Sequence, residues 1–283
     1  METTKEIKNA EFGGERPLFA SHNLLLDHVI IHAGESALKC CSDIVARHCR
    51  FEGKYPFWHV KGFEITDCLF TEGARAALWY SSALKMRDTQ VDAPKMFREM
   101  DGVDLERVNI PDAAETLWHC RNILIRDCDI RKADYLFMHC ADIDIDRYHQ
   151  QGNYSFQYCN NAVIRNAEID SKDAFWNTED VTVYDSKLIG EYLGWHSHRL
   201  HLVRCHIDGT QPLCYCHDLI LEDCTFGPEA DLAFEDSTLT ATLKSSPVSI
   251  KNPRSGSITM PSECKIIKDE NILAPADCKI IVK

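Results

Sequence analysis

The sequence predicts an all-β protein, a single-stranded right-handed parallel β-helix of about twelve coils with 19–21 residues in each coil. The first observation is a repeat: "LWHCRNILIRDCDI" (117–130) returns in the same order as "FWHVKGFEITDCLF" (57–70) and "GWHSHRLHLVRCHI" (194–207). Repeats of this length are typical of solenoids. With Trp118 as position zero, the equivalent residues are Phe19, Lys39, Trp58, Trp79, Arg98, Trp118, Met138, Gln157, Trp176, Trp195, Cys214 and Phe234.

The second observation is that each position of the repeat has one character. The residue before position zero is Leu or Phe in ten of the twelve coils. Position four is mostly Asn, Asp or Gly, residues that tolerate left-handed backbone angles, so a turn is expected there. Positions five and seven are apolar, as at Ile123 and Ile125, and positions ten and twelve repeat this alternation at Cys128 and Ile130. A two-residue period indicates strands.

Three short strands in each coil distinguish this pattern from other solenoids. A helical solenoid would show a 3.6-residue period, which is absent. A leucine-rich repeat is the closer rival, because Cys120, Ile123 and Ile125 satisfy its consensus, but it has one strand per repeat. The regular spacing predicts a β-helix over residues 1–245. Residues 246–283 hold short strands between Pro, Gly and Ser, and we expect them to cap the same domain.

Composition limits the partners and the compartment. The net charge is −13, from 44 acidic and 31 basic residues, which argues against nucleic acid and anionic membranes as partners. No apolar segment is long enough to span a membrane, and no signal peptide is recognised. The fourteen cysteines are therefore expected to be free thiols in a cytoplasmic protein.

The cysteines mostly occupy positions two and ten, where small inward-facing side chains suit a narrow core. A zinc site at Cys214 and Cys216, or at Cys40 and Cys41, is the functional alternative. It has little support because no Cys-x-x-Cys spacing occurs. The sequence thus predicts neither a metal site nor a cofactor.

The aromatic face, formed by the side chains at positions zero and one, is the predicted ligand-binding surface. Position zero also contains Lys39 and Arg98, so it is expected to face outward. Flat rings with polar neighbours suit the C–H faces of sugars. In the alternative, the rings stack on one another or lie under a partner. The candidate ligand-binding residues are Trp58, Trp79, Trp118, Trp176, Trp195, His119, His139, His196, Tyr80 and Tyr158.

A charged edge lies three or four residues before position zero. Stacking of the coils is expected to bring Glu115 close to Asp134, and Asp173 close to Glu191, with about 5–6 Å between carboxyl groups, as in retaining glycosidases. Such proximity raises one pKa, as a general acid requires. Arg75 or Lys95 could instead act as a base or a carboxylate clamp in β-elimination from an acidic sugar. Alternatively, the edge is a surface ladder of ion pairs.

Several motifs carry a resemblance to a known family: "FGGERPLF", "YPFWH", "ARAALWYS", "AETLWHC", "SKDAFWN" and "GEYLGWHS". Through them the chain resembles the bacterial domain-of-unknown-function family 3737, from residue 12 to about residue 256. The resemblance implies a pectate-lyase-like right-handed β-helix. It brings no established activity and no catalytic residues. The wider superfamily contains polysaccharide lyases, glycoside hydrolases and sugar-binding proteins, but fold alone does not fix function.

Three functions follow as hypotheses. The protein binds or processes a carbohydrate, an oligosaccharide or a nucleotide sugar, on the aromatic face. If it is an enzyme, it is a glycoside hydrolase or a lyase. In the second hypothesis it is a non-enzymatic scaffold whose aromatic face contacts a partner or, in a homo-oligomer, a second copy. In the third, a cysteine or histidine cluster binds a metal.

Overall fold

The computed structural model describes residues 4–270 and 272–283. The predicted domain bounds, 1–245 and 246–283, include residues 1–3 and 271, which lie outside the described residues. The chain divides into two compact units, Met1–Asp142 and Ile143–Lys283. In the described residues no helix is long and apolar enough to cross a membrane.

The first unit consists of short strands and one turn of 3-10 helix, Glu72–Ala74. Strand β14, Ala141–Gln151, begins in this unit and continues into the second. The other strands are β1 Lys5–Lys8, β2 Glu11–Glu15, β3 His22–Asp27, β4 Ile30–Glu35, β5 Ser42–Arg47, β6 Arg50–Phe51, β7 Lys61–Thr66, β8 Leu69–Phe70, β9 Ser82–Arg87, β10 Gln90–Val91, β11 Asp101–Glu106, β12 Asn109–Ile110 and β13 Arg121–Ile130.

The second unit is built in the same way from strands alone, within its described residues. They are β15 Asn160–Asp170, β16 Glu179–Tyr184, β17 Lys187–Ile189, β18 His198–Val203, β19 His206–Asp208, β20 Leu219–Phe226, β21 Thr238–Leu243, β22 Ser249–Lys251, β23 Ser255–Met260, β24 Lys265–Ile267 and β25 Lys279–Val282.

Parallel pairing between consecutive coils creates the core of each unit. In the first unit Leu24 pairs with Ile44, and Ile44 pairs with Phe63, so the partners are separated by one repeat. These side chains are buried, as are those two residues further along each strand. Because side chains alternate across a strand, a parallel register stacks each apolar position on the same position of the next coil. The predicted parallel β-helix class is confirmed.

The number of coils differs from the prediction. In the described residues the strands mark about fifteen turns rather than twelve. In the first unit, β1 pairs with β3 ahead of the first complete repeat. In the second, β23 pairs with β21, and β25 pairs with β23. Main-chain pairing needs no particular side chains, so it continues beyond the point where the sequence repeat fades.

Position four has the expected left-handed backbone but not the expected break in the strand. Asn23, Asp43 and Gly62 have φ angles of 50°, 55° and 67°. All three lie inside strands, and the pairing passes over them: His22 pairs with Ser42, and the next pair is Leu24 with Ile44. Each turns the backbone without ending the strand, and because the paired strands skip the equivalent residue, their register is kept.

The cysteines are free, and most are buried. Cys120 and Cys140 lie on consecutive coils, and the backbone N–H of Cys120 donates to the Cys140 sulfur at 3.4 Å. Burial raises the pKa of Cys41, Cys128 and Cys216 to about 11. The prediction of free, mainly buried thiols is confirmed.

Candidate functional site

Three of the five tryptophans at position zero are held by hydrogen bonds from their ring edges. Trp79 donates its indole N–H to the carbonyl of Lys95 at 2.9 Å, and Trp118 donates to the carbonyl of Tyr135 at 2.6 Å. In the second unit Trp195 makes the same bond to Gln211 at 2.8 Å. Each acceptor lies three residues before position zero of the following coil. The rings are therefore fixed in orientation and half-buried rather than free on the surface.

In the first unit the side chains at position zero contact one another in a row, with the Trp58 and Trp79 rings tilted by 35°. The ring centroids of Trp58 and Trp79 are 5.3 Å apart. The guanidinium of Arg98 follows, 4.8 Å from the Trp79 ring and 4.2 Å from the Trp118 ring. The ammonium group of Lys39 lies 6.0 Å from the Trp58 ring at the other end. Each inner ring thus uses both faces for its neighbours.

Position one carries a second row of stacked rings beside the first. His59 stacks on Tyr80, with centroids 5.2 Å apart and an interplanar angle of 18°. His119 stacks on His139 at 5.0 Å and 1°. Tyr80 is 46% exposed, so this row forms the outer surface of the aromatic face.

In the second unit the ring stack begins at Trp176. The centroids of Trp176 and Trp195 are 5.6 Å apart, and His196 stacks on Tyr215 at 5.1 Å. The coil before Trp176 places Gln157 at position zero, so the row of rings is interrupted there by an amide. Gln157 donates to the carbonyl of Asp173 at 3.4 Å.

On the charged edge of the first unit, Glu115 is paired with two cations. Its carboxylate lies 3.1 Å from the ammonium of Lys95 and 2.8 Å from the guanidinium of Arg98. Burial alone would raise the pKa of Glu115, but the hydrogen bonds from these two cations outweigh it and hold the pKa below its ordinary value. This direction is opposite to the one that a general acid needs.

The other two predicted residues of this edge lie at the surface. Asp134 is exposed, and its carbonyl accepts a hydrogen bond from the Glu115 N–H at 2.8 Å, so the predicted neighbours do lie on adjacent coils. The separation of their carboxyl groups stays a prediction. Arg75 follows the 3-10 helix and is exposed.

In the second unit the charged edge contains a buried acid. Asp173 is 7% exposed, and its N–H donates to the carbonyl of Glu191 at 2.8 Å. Burial is the largest cause that raises the pKa of Asp173; Lys172 opposes it and Glu191 adds to it. Glu191 is ion-paired with Lys172 at 3.3 Å. Asp173 therefore has the pKa direction of a proton donor, beside the ion-paired carboxylate of Glu191.

Two side chains of these clusters were not among the predicted site residues. Arg98 was recognised only as evidence that position zero faces outward, and its stacking between two tryptophans was missed. Tyr192 packs edge-on against Trp195 at 5.0 Å, with the Lys172 ammonium 5.1 Å from its ring. The signal for both was their place in the repeat: Arg98 at position zero between tryptophans, and Tyr192 three residues before Trp195.

Metal-ligating side chains converge at a different part of the coil. Within residues 4–270 and 272–283, one group of three has all its ligand atoms within 4.8 Å of one another: Asp27, His28 and His48. They lie at positions eight and nine, not on the aromatic face.

The stacked coils and the aromatic face define the class of the protein: a parallel β-helix with rows of rings along its coils. Residues 5–281 match the model of the family described as "Protein of unknown function (DUF3737)", and the chain belongs to that family. No curated protein sequence matches the chain. Among solved structures, the crystal structure of a periplasmic alginate epimerase is similar at 8% identity, over 99% of this chain and 73% of that chain, with a TM-score of 0.22.

Proposed function

We propose that the protein binds a carbohydrate, an oligosaccharide or a nucleotide sugar, on the aromatic face of its second unit. The observation that carries this proposal is Asp173, a buried carboxyl group with a raised pKa, three residues before the first ring of a fixed aromatic row. A sugar needs both features, because its C–H faces pack on aromatic rings and its hydroxyl groups need directed polar partners.

The interruption of the row of rings at Gln157 determines where the ligand is proposed to bind. In the first unit Arg98 covers one face of the Trp79 ring and one face of the Trp118 ring, so little ring surface is left for a ligand. In the second unit the preceding coil presents the amide of Gln157 to Trp176 at position zero, in place of an aromatic ring or a guanidinium. The exposed Tyr158 ring, on the same coil as Gln157, borders this position. A sugar ring packed on Trp176 would lie beside Asp173.

If the site also cleaves its ligand, the residues divide into two roles. Asp173 is the candidate acid, because only a protonated carboxyl group can donate to a leaving oxygen. Glu191, ion-paired with Lys172, is the candidate nucleophile or base of a glycoside hydrolase. The other predicted catalytic groups belong to the first unit, where Lys95 is bound to Glu115. The cytoplasmic location remains part of the proposal, and it favours short oligosaccharides and nucleotide sugars over polymers.

A scaffold role is the second candidate. It is favoured by the exposure of Tyr80 in the first unit, 46%, and of Tyr158 in the second, 44%, because large exposed rings suit contact with a partner or a second copy. In that role the stacking of the first unit provides rigidity rather than ligand contacts.

Titration of intrinsic tryptophan fluorescence with neutral oligosaccharides, uronic-acid oligosaccharides and nucleotide sugars tests the proposal. We expect saturable quenching that Trp176→Ala abolishes and that Trp58→Ala, the matched control in the first unit, leaves in place. Product analysis with Asp173→Asn then separates binding from turnover. If no ligand changes the spectrum and size-exclusion chromatography shows a concentration-dependent oligomer, the scaffold role replaces the proposal.

A further inference from the structure

Three side chains converge at one corner of the first unit, outside the aromatic face. The Oδ1 atom of Asp27 accepts hydrogen bonds from Nδ1 of His28 at 2.8 Å and from Nδ1 of His48 at 2.9 Å. The two imidazole side chains are 60% and 47% exposed, so solvent ions reach them. One oxygen and two ring nitrogens thus meet at one accessible point.

The backbone holds this arrangement in place. His28 and His48 both occupy position nine, on consecutive coils, with φ angles of 54° and 52°. The N–H of His28 donates to the carbonyl of Arg47, and the N–H of His48 donates to that of Thr66, both at 3.1 Å. The two rings stack with centroids 4.6 Å apart. The stacking of coils therefore orients the two rings before any ligand arrives.

Later coils of the first unit carry other residues at position nine. There Arg107 makes two hydrogen bonds to Asp88, of 2.5 and 2.9 Å, and the two charges neutralise each other. A guanidinium has no lone pair for a metal, whereas an imidazole has one. In addition, Oδ2 of Asp67 lies 3.8 Å from Nε2 of His48, on the far side of that ring. A carboxylate placed there is the usual support of a metal-bound histidine.

The geometry points to a binding site for a divalent transition-metal ion, such as Zn²⁺ or Ni²⁺, formed by Nδ1 of His28, Nδ1 of His48 and Oδ1 of Asp27. When the ion binds, Nδ1 of each ring gives up the proton that it donates to Asp27 and coordinates the ion through its lone pair. The ring proton then lies on Nε2, and that of His48 faces Asp67. Metal bonds of about 2.0–2.2 Å require Oδ1 to lie only a few tenths of an ångström farther from each Nδ1 than it does here. Two nitrogens and one oxygen favour these ions over Mg²⁺ or Ca²⁺, which prefer oxygen ligands. Water completes the coordination.

Metal titration of the full-length chain, made without a histidine tag and freed of metal by a chelator, tests this inference. We expect Zn²⁺ and Ni²⁺ to bind with one tight equivalent per chain in calorimetry and metal analysis. His28→Asn and His48→Asn should each weaken binding by more than roughly 100-fold, and Asp67→Asn by roughly 10-fold, because a ligand matters more than the group supporting it. Asparagine tolerates the left-handed backbone at both histidine positions, so these variants should fold.

A second histidine pair provides the matched control. His198 and His217 of the second unit stack at 4.7 Å, as His28 and His48 do, but within the described residues no third ligating side chain completes a group there. His198→Asn should leave the affinity unchanged. The absorption spectrum with Co²⁺ should lack the charge-transfer band of a thiolate ligand. The inference is overturned by a lack of saturable binding, by binding that survives the His28→Asn/His48→Asn double change, or by a thiolate band that identifies cysteines as the ligands.

Discussion

The guanidinium carbon of Arg98 lies 4.2 Å from the centroid of the Trp118 ring, so a cation occupies one step of the aromatic row in the first unit. The same side chain contacts Trp79 and is ion-paired with Glu115. Arg98 thus joins the aromatic face to the charged edge. Its side chain is only 19% exposed, which keeps these interactions largely out of water.

Arg98→Ala should lower the free energy of unfolding by about 2–4 kcal/mol, because it removes two cation–π contacts and a charged hydrogen bond. Urea denaturation followed by circular dichroism measures the change. Arg131→Ala is the control: its side chain is 49% exposed and its pair with Asp129 is a surface one, so we expect a loss below about 1 kcal/mol. Equal losses for the two variants would contradict the role given to Arg98.

Asp173→Asn should stabilise the protein near neutral pH by about 0.5–1 kcal/mol while removing any proton-donor activity. The pKa of Asp173 is raised by burial above its ordinary value of 3.8, so the charged form is disfavoured in the fold. Stability that this group contributes at low pH is lost as the pH rises through its folded-state pKa. Asparagine lacks the charge and tolerates the φ of 54° at this position.

Thermal unfolding at pH 7 and at pH 3 measures the effect of Asp173→Asn, since the gain should disappear at the lower pH. Asp180→Asn is the comparison, because Asp180 is ion-paired with Arg199 and its pKa is lowered. That variant should show no gain at pH 7. A destabilised Asp173→Asn protein at pH 7 would mean that the carboxylate is needed by the fold.

Acid should destabilise the protein through His139. Burial, and secondly the charge of His119, lower the pKa of His139 below its ordinary value of 6.5. Its contribution to stability is therefore present above pH 6.5 and is lost as the pH falls through the folded-state pKa. His139→Gln should flatten the dependence of the melting temperature on pH below 6.5. NMR titration of the imidazole checks the cause directly, and a midpoint at or above 6.5 would refute it.

Thiol reactivity should separate one cysteine from the rest. Cys40 is exposed, whereas Cys41, its neighbour in sequence, is buried and has a pKa raised to about 11, chiefly by burial. Since the thiolate is the reactive form, a colorimetric thiol reagent at pH 8 should react quickly with about one thiol in each native chain. Cys40→Ser should remove this fast phase, and denaturant should expose the remainder of the fourteen cysteines. Fast reaction of many native thiols would show that the coils open readily.

The strands were predictable because they depend on residue type alone. The side-chain contacts of the aromatic face and the charged edge depend instead on residues of the neighbouring coils. The alternation of apolar and polar residues around Ile123 and Ile125 predicts a strand, and both side chains are buried as expected. Glu115 and Asp173 occupy the same position of the repeat, yet the first is held charged by two cations and the second is buried with a raised pKa. That difference arises from side chains one coil away and from the directions they take, which residue spacing does not specify.

The cluster of Asp27, His28 and His48 was likewise not predicted from residue spacing. No site was predicted at position nine, which holds both histidines of the cluster. Asp27, one residue before His28, completes the cluster only because the bend at His28 directs both rings toward one carboxylate oxygen. A search for histidines and acids repeated at one position of successive coils would have found it.

The register shift between β2 and β4 has a consequence for how this family can change in length. Leu24, Ile44 and Phe63 stay in register although their separations differ by one residue, because the extra residue lies between Ile31 and Gly34, past the last buried position of β4. A residue inserted between the inward positions of a strand would instead turn its apolar side chains outward. Insertions and deletions should therefore accumulate at the corners, one residue at a time, or add and remove entire turns. Lineages within the family would then differ in the number of turns more readily than in the strands that compose each turn.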